Sequence, residues 1–401
     1  MNFLFVHEVN WLEKVTYEIH DIPELLSLAG YSVTFIDYPE ILANSPRKNK
    51  FDLRTTKSPG ATRAHKNSKV NVLTPGGVAP EPLRRVLASI TFIPLFWKTV
   101  KRQKIDVVVL YGVPTNGWQT VVLAKLLKVP VIFRAIDIAH LLRPTVFKPI
   151  IKFAEKYIYR NVDHISTHNV ALRNYCVELG ADPENISVDF PMVDIQRFAP
   201  ENRKSELALN YGIQPDQKIV FFRGTLYRFA GIEKFVELSS KYLRQNSDVC
   251  LLIVGSGEAR EEILQTISKA GLTSQIKVIP FVEYDKLVSH ICLADVSINT
   301  FIPSLVTNCA LPGRVLQSMA CGVPVVSTKL EGMMSYSQNS NAVIYRDLDE
   351  TFIDAVAELL SDSAKRKTIG QSGRSLVISK GTWQDFIVNF VLIAERIVST
   401  K

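Results

Sequence analysis

Arginine and glycine stand together at two places in the second half of the chain, and the pairing suits an anion. The first place is Phe222-Arg223-Gly224-Thr225-Leu226-Tyr227-Arg228-Phe229-Ala230-Gly231. Glycine lets a backbone come close to a ligand, and arginine meets phosphate oxygens through paired donors. The second runs on from Cys309-Ala310-Leu311-Pro312-Gly313-Arg314-Val315-Leu316-Gln317. Pro312 suits the first turn of a helix, where its missing N–H costs nothing. The free N–H groups of that entrance and the Arg314 side chain face an incoming anion. Gln317 lies one turn beyond Gly313 and can reach a hydroxyl further along. Taken alone, an ordinary strand–turn–helix connection and an ordinary Pro-started helix explain each stretch equally well.

The remaining chemistry-bearing residues narrow the choice by what they omit. Val254-Gly255-Ser256-Gly257 is a tight turn after a strand, but the third glycine and the acidic partner of a dinucleotide fingerprint are missing, so NAD is not expected. The five cysteines, Cys176, Cys250, Cys292, Cys309 and Cys321, are odd in number and form no CxxC or zinc-like spacing. They read as reduced thiols of a cytoplasmic protein, with no metal site. The first residues, MNFLFVHEVNW, read as a strand and not as a signal peptide, which disfavours an extracellular binding protein.

Alternating β and α elements must position these residues. Apolar runs at Phe3–Val6, Ser32–Ile36, Val70–Leu73, Asp106–Leu110, Val129–Phe133 and His164–Ser166 are separated mostly by helical patterns. After a connector at Val193–Asn202 the alternation restarts. Strands are expected at Lys218–Phe222, Val249–Val254, Ile276–Ile279, Val296–Asn299, Pro324–Ser327 and Ala342–Tyr345. Helices are expected at Ile232–Leu243, Glu261–Ala270, Asp285–Cys292 and Arg314–Ala320. Such alternation predicts parallel sheets covered on both faces, here two doubly wound domains facing a cleft. The expected divisions are 1–195, 203–380 and a terminal helix in 381–401, where Trp383, Phe386, Phe390, Ile393 and Ile397 repeat at helical spacing.

The formal net charge is +8 and it is uneven. Between residues 51 and 150 the only acids are Asp52, Glu81, Asp106 and Asp137, against a large excess of Lys and Arg. Ser45–Lys69 reads as a basic surface loop. In Leu83–Lys104, Leu83, Val86, Leu87 and Ile90 repeat at helical spacing and lead into Phe92, Ile93, Leu95, Phe96 and Trp97. Arg84, Arg85, Lys98, Lys101, Arg102 and Lys104 flank them. Basic residues around an aromatic core suit an anionic membrane surface, while a buried helix with a solvated edge gives the same pattern. Nucleic acid is not expected, since no stacking platform or reading helix is evident.

At this point the second arginine–glycine stretch resembles the donor-binding helix of the large retaining glycosyltransferase family 4, with the GT-B fold. Met319–Thr328 (MACGVPVVST) is its most specific part. The resemblance covers most of the chain and is strongest from about residue 160 onward. It includes Val162–Val188 with Val193–Pro200, Leu251–Ile263 (LLIVGSGEAREEI), Ile279–Phe301, and the Gly381–Phe386 start (GTWQDF) of a helix that in the family crosses back to the N-terminal domain.

The resemblance implies a hexosyltransferase that moves a sugar from a UDP- or GDP-sugar to a saccharide or lipid-linked acceptor. Configuration would be retained, with no metal and no cofactor beyond the nucleotide-diphosphate sugar itself. Phe281, Val282 and Glu283 would hold the base and Gln317 the ribose. Gly224, Thr225, Gly255 and the helix entrance at Leu311, Pro312, Gly313 and Val315 would surround the diphosphate. His7, Asn10 and Trp11 would face the acceptor, with Asp137 and His140 beside the transferred sugar. The chain departs from the family where Thr225 and Ala230 replace cations and Cys309 and Gln317 replace acids. Arg223, Arg228 and Arg314 are the nearby charges available in compensation. The departures also raise a catalytically weak, nucleotide-sugar-binding relative as an alternative. A sugar-nucleotide epimerase would need a set of acids and bases that is not evident.

Overall fold

A computed structural model describes residues 1–40, 53–77, 83–142 and 145–401. The chain divides into two compact units, Met1–Phe190 with Trp383–Lys401, and Pro191–Thr382.

In chain order, unit 1 holds β1 (Asn2–Val6), α1 (Glu18–Leu28), β2 (Ser32–Ile36), β3 (Thr56–Ala61), β4 (Val70–Thr74), α2 (Leu83–Gln103) and β5 (Val107–Leu110). It continues with α3 (Gly117–Leu127), β6 (Val131–Ala135), α4 (Lys148–Asn161), β7 (His164–Thr167), α5 (Val170–Glu178) and β8 (Ile186–Val188). Its sheet runs β3-β4-β2-β1-β5-β6-β7-β8. All pairings are parallel except β3 with β4. Strands covered on both faces read as unbroken apolar runs, as in fully buried β5 (VVVL). Building out from β1 toward β4, the chain returns to β5 and proceeds the other way. The order therefore reverses between β1 and β5.

Unit 2 holds α6 (Ser205–Leu209), β9 (Lys218–Arg223), α7 (Ile232–Gln245), β10 (Val249–Val254), α8 (Arg260–Lys269), β11 (Ile276–Ile279), α9 (Leu287–Ile291) and β12 (Val296–Asn299). Then come α10 (Leu305–Asn308), α11 (Gly313–Ala320), β13 (Val325–Ser327), α12 (Glu331–Tyr336), β14 (Val343–Tyr345), α13 (Glu350–Ser361) and α14 (Ser363–Ser379). Its parallel sheet is ordered β11-β10-β9-β12-β13-β14, with the reversal between β9 and β12. In open α/β sheets, ligands sit outside the carboxyl ends of the strands at such a reversal.

The last helix, α15 (Trp383–Ser399), belongs to unit 1 and packs on α1. It buries Trp383, Phe386, Ile387, Phe390, Val391, Ala394 and Ile397. The Phe386 ring lies 5.2 Å from the Arg134 guanidinium, which is fully buried in β6. Arg134 donates to both Glu18 carboxylate oxygens at 2.9 and 3.0 Å, to Ser166 Oγ at 2.9 Å and to the Asp189 carbonyl at 2.8 Å. One arginine thereby joins α1, β6, β7 and the end of β8 beneath α15, and its charge is fully paired, as burial requires.

The structure corrects three expectations. Thr56–Ala61 is a strand, the antiparallel edge of the sheet, inside the expected basic loop; residues 45–52 of that loop lie outside the described residues. The expected Asp285–Cys292 helix contracts to Leu287–Ile291 after one 3-10 turn. β6 begins at Val131 and not at Val129, because Pro130 has no N–H for the ladder.

Candidate functional site

The reversal in unit 2 carries the arginines. β9 ends on Arg223, and the chain leaves it through Gly224 at φ +152, in the region that favours glycine. From α11, Arg314 reaches back across the reversal. Its guanidinium lies between the rings of Phe222 and Phe301, 4.8 and 4.3 Å from their centroids. Its Nη2 donates to Asn299 Oδ1 at 2.7 Å, at the end of β12. A Cβ on Gly224 would come within 2.7 Å of Arg314 Nη1, so the glycine makes room for the side chain. Arg223 Nη1 donates to Gln317 Oε1 at 2.5 Å.

Two guanidinium groups thus share a desolvated space, and among the described residues no carboxylate pairs with either. Arg314 Nε is buried without a partner. Burial, then the charge of Arg223, lowers Arg314 from the usual arginine range to about 9. Burial lowers Arg223 to about 10. Like charges held together out of water are unfavourable unless an anion completes the set. Gly313, at the start of α11, is exposed with open space around it, leaving the helix entrance accessible.

The neighbouring turns are built by backbone packing. A Cβ on Gly255 would lie 2.0 Å from the Gly224 carbonyl oxygen, and the Gly224 and Leu226 N–H groups donate to Val254 and Ser256. Gly255 therefore acts by letting the β9 and β10 loops touch. Leu311 and Val315 are core residues that seat α11, while Thr225 and Val282 are half-buried at the ends of β9 and after β11. Glu283 is exposed and paired with Lys286 at 2.9 Å. Arg228 stands apart from the other two arginines: it is exposed and donates to both oxygens of Glu262 at 3.2 and 2.6 Å.

In unit 1 the reversal between β1 and β5 carries a second polar cluster. His7 follows β1; its Nε2 is 3.3 Å from the Tyr17 hydroxyl and its ring 5.5 Å from that of Tyr111, which follows β5. Burial lowers His7 to about 3, so it is neutral. Glu8 accepts from the Thr115 and Asn116 N–H groups at 2.7 and 2.8 Å and fastens the loop after β5. Asn10 is half-buried and donates to the Glu40 carbonyl at 3.4 Å. Trp11 is fully buried, its Nε1 donating to the Ile19 carbonyl at 2.9 Å, so it shapes the loop and has no surface for an acceptor.

Asp137 and His140 come together after β6 with two residues that the motifs did not single out. His140 Nδ1 is 2.5 Å from Glu155 Oε2, on which the Tyr175 hydroxyl also closes at 3.3 Å. Burial, then the nearby Glu155, raises Asp137 from 3.8 to about 7, and burial raises Glu155 to about 7. The group can hold or release a proton near neutrality. Glu18, Arg134 and His168 form a further buried polar cluster, with His168 Nε2 2.8 Å from Glu18 Oε2. An arginine in the middle of an apolar strand, Val131–Ala135, was the visible sign of it.

A doubly wound unit with two arginines at its reversal, neither paired with a carboxylate among the described residues, is an α/β arrangement suited to an anion. Residues 204–376 match the family described as glycosyl transferases group 1, and residues 42–188 match the glycosyl transferase 4-like domain. The chain belongs to these family-4-like glycosyltransferases and has their GT-B fold. It is 29% identical over 211 residues to the D-inositol 3-phosphate glycosyltransferase of Paenarthrobacter aurescens, covering 51% of this chain and 50% of the relative. The chain thus spans about half the length of the curated relatives it matches. Among solved structures it is similar to sucrose-phosphate synthase of Thermosynechococcus elongatus (TM-score 0.78, 15% identity, all of both chains). It is also similar to Anabaena HepE in complex with UDP-glucose (TM-score 0.73, 17% identity, all of both chains).

Proposed function

We propose that the chain transfers a hexose from a nucleotide-diphosphate sugar to a saccharide or lipid-linked acceptor, with retention of configuration. The observation that carries this reading is the pair Arg223 and Arg314, two desolvated cations without a carboxylate at the strand reversal of unit 2. A pyrophosphate supplies the missing charge and accepts the free donors. UDP and GDP are the nucleotides to expect. Val282 and Glu283 would meet the base through backbone, and Gln317 the ribose once its contact with Arg223 opens.

The chemistry needs no covalent enzyme intermediate and no metal in this reading. The acceptor hydroxyl attacks the anomeric carbon on the face the diphosphate leaves. The sugar–phosphate bond breaks, and the departing phosphate oxygen takes the hydroxyl proton. Charge grows on the diphosphate as the bond breaks, so donors fixed around it favour the transition state over bound substrate. Asp137 and His140 take the polar contacts to the transferred sugar, and His7 and Asn10 those to the acceptor. The setting is cytoplasmic, in polysaccharide or glycoconjugate synthesis, with an anionic membrane surface as partner.

A second reading rests on Cys309 and Gln317. With no acid at either position and Gln317 already bonded to Arg223, the chain would bind nucleotide sugar and regulate a partner without efficient transfer. Thermal melting with UDP, GDP and ADP sugars tests the first step. A ligand at about 100 times its Kd stabilises the folded state by about 2.7 kcal/mol. No shift with any of them removes both readings. A shift without sugar transfer or donor hydrolysis leaves the second.

A further inference from the structure

The three helices that join β4 to β7 present an outer surface with no role in the donor chemistry. Their crossovers all move the same way along the sheet, which places α2, α3 and α4 on one face, and α3 packs against both its neighbours. Each buries one stripe and shows another. On α2 the inner stripe is Ala88, Phe92, Phe96 and Val100, while Leu83, Val86, Ile90, Ile93 and Trp97 are exposed. On α3, Trp118 and Leu126 are exposed.

The α4 end is the most apolar of all. Val146 is 88% exposed, Phe147 61%, Ile150 63% and Phe153 72%. Soluble surfaces scatter such residues singly; here Val146 and Phe147, in the turn that leads into α4, stand next to Ile150 and Phe153 in its first turns. Lys148, Lys152 and Lys156 repeat every four residues beside them and are also exposed. Across the three helices the only carboxylate is Glu155, which is buried against His140.

We propose that this three-helix face docks on an anionic lipid bilayer, with the start of α4 as the inserting edge. This deepens the membrane part of the reading above, which rested on the 83–104 segment alone. Aromatic and aliphatic tips enter the acyl boundary while lysines remain at the headgroups, the pattern of an interfacial helix. Anionic lipid supplies the negative charge that the face lacks. A second copy of the chain would set lysine against lysine, which is unfavourable across an interface. A polyanion without an apolar phase would leave Phe147, Ile150 and Phe153 in water.

Flotation of the full chain with vesicles of phosphatidylcholine alone, or mixed with phosphatidylglycerol, tests the idea. Binding is expected only to the mixed vesicles. It should fall at least tenfold in the F147S/I150S/F153S variant and in the K148E/K152E/K156E variant. These side chains are exposed, so melting temperatures should not change, and the shift with UDP or GDP should persist, separating this test from that of the transferase reading. Tryptophan fluorescence should be quenched by brominated lipid in the wild type and not in W97F/W118F, whose remaining tryptophans, Trp11 and Trp383, are buried. Equal binding to neutral vesicles, unchanged binding in both triple variants, or loss of a dimer in the F147S/I150S/F153S variant would each overturn the proposal.

Discussion

Arg314 is held on two sides by aromatic rings and on a third by Asn299, leaving its Nε and one Nη for a ligand. The held position matters because a donor fixed before the reaction costs no reorganisation when charge develops. Arg314→Ala should therefore raise the Kd for the nucleotide diphosphate, measured by calorimetry, about tenfold or more. Arg228 is the contrast. It is exposed and already paired with Glu262, and surface pairs contribute little. Arg228→Ala should change the same Kd less than about threefold. Equal losses in both variants would mean that Arg228 leaves Glu262 for the ligand.

Asp137 makes a prediction about pH. Its pKa is raised by burial, then by Glu155, from 3.8 to about 7. The folded protein therefore binds that proton more tightly than the unfolded chain. The stability this contributes is full below about 3.8 and is lost as the pH rises through about 7. Wild-type melting temperature, compared with Asp137→Asn, should fall between about pH 5 and about pH 8. Parallel curves would show that Asp137 is already solvated.

Elements explain what was legible in the residues and what was not. The unit 2 strand Val249–Val254 was readable to the residue, because a strand buried on both faces is apolar without interruption; Ile276–Ile279 and Val296–Asn299 were read with the same bounds although Lys277, Ser297 and Asn299 interrupt them. β3 was not, because Thr56–Ala61 is a half-exposed edge whose partner, β4, and not its own hydrophobicity, holds it in place. Residue type alone left Arg223, Gly224, Gly313 and Arg314 open between an anion site and an ordinary turn and helix start. Phe222, Phe301 and Asn299, which aim Arg314, were hidden in ordinary strand ends until the chain folded. Trp11 looked like surface chemistry and is core, since an aromatic beside a strand end reads alike in both settings.

Arg134 is the element-scale test. It bonds α1 through Glu18, β7 through Ser166 and the end of β8 through Asp189, and it carries α15 on its upper face. Removing one member of a buried charge pair strands the other, which typically costs about 3–5 kcal/mol. Arg134→Ala should lower unfolding free energy in urea by about that amount, with nucleotide affinity of the folded fraction unchanged. A loss under about 1 kcal/mol would mean that water replaces the guanidinium.

At the scale of the whole molecule, the chain is continuous but unit 1 is not. It consists of Met1–Phe190 and Trp383–Lys401, with all of unit 2 placed between. Seven buried side chains of α15, Phe386 against Arg134 among them, complete its core. A chain ending at Thr382 should retain nucleotide binding, read as a melting shift with UDP or GDP, and lose the cooperative transition of unit 1. Retention of that transition would show that α15 is an ornament. Synthesis adds a consequence in time. The ribosome finishes the inserted half while the half it began with still lacks its last helix. Unit 2 can settle as it is made, whereas the first 190 residues wait, with an apolar flank uncovered, until α15 has been made and shields it.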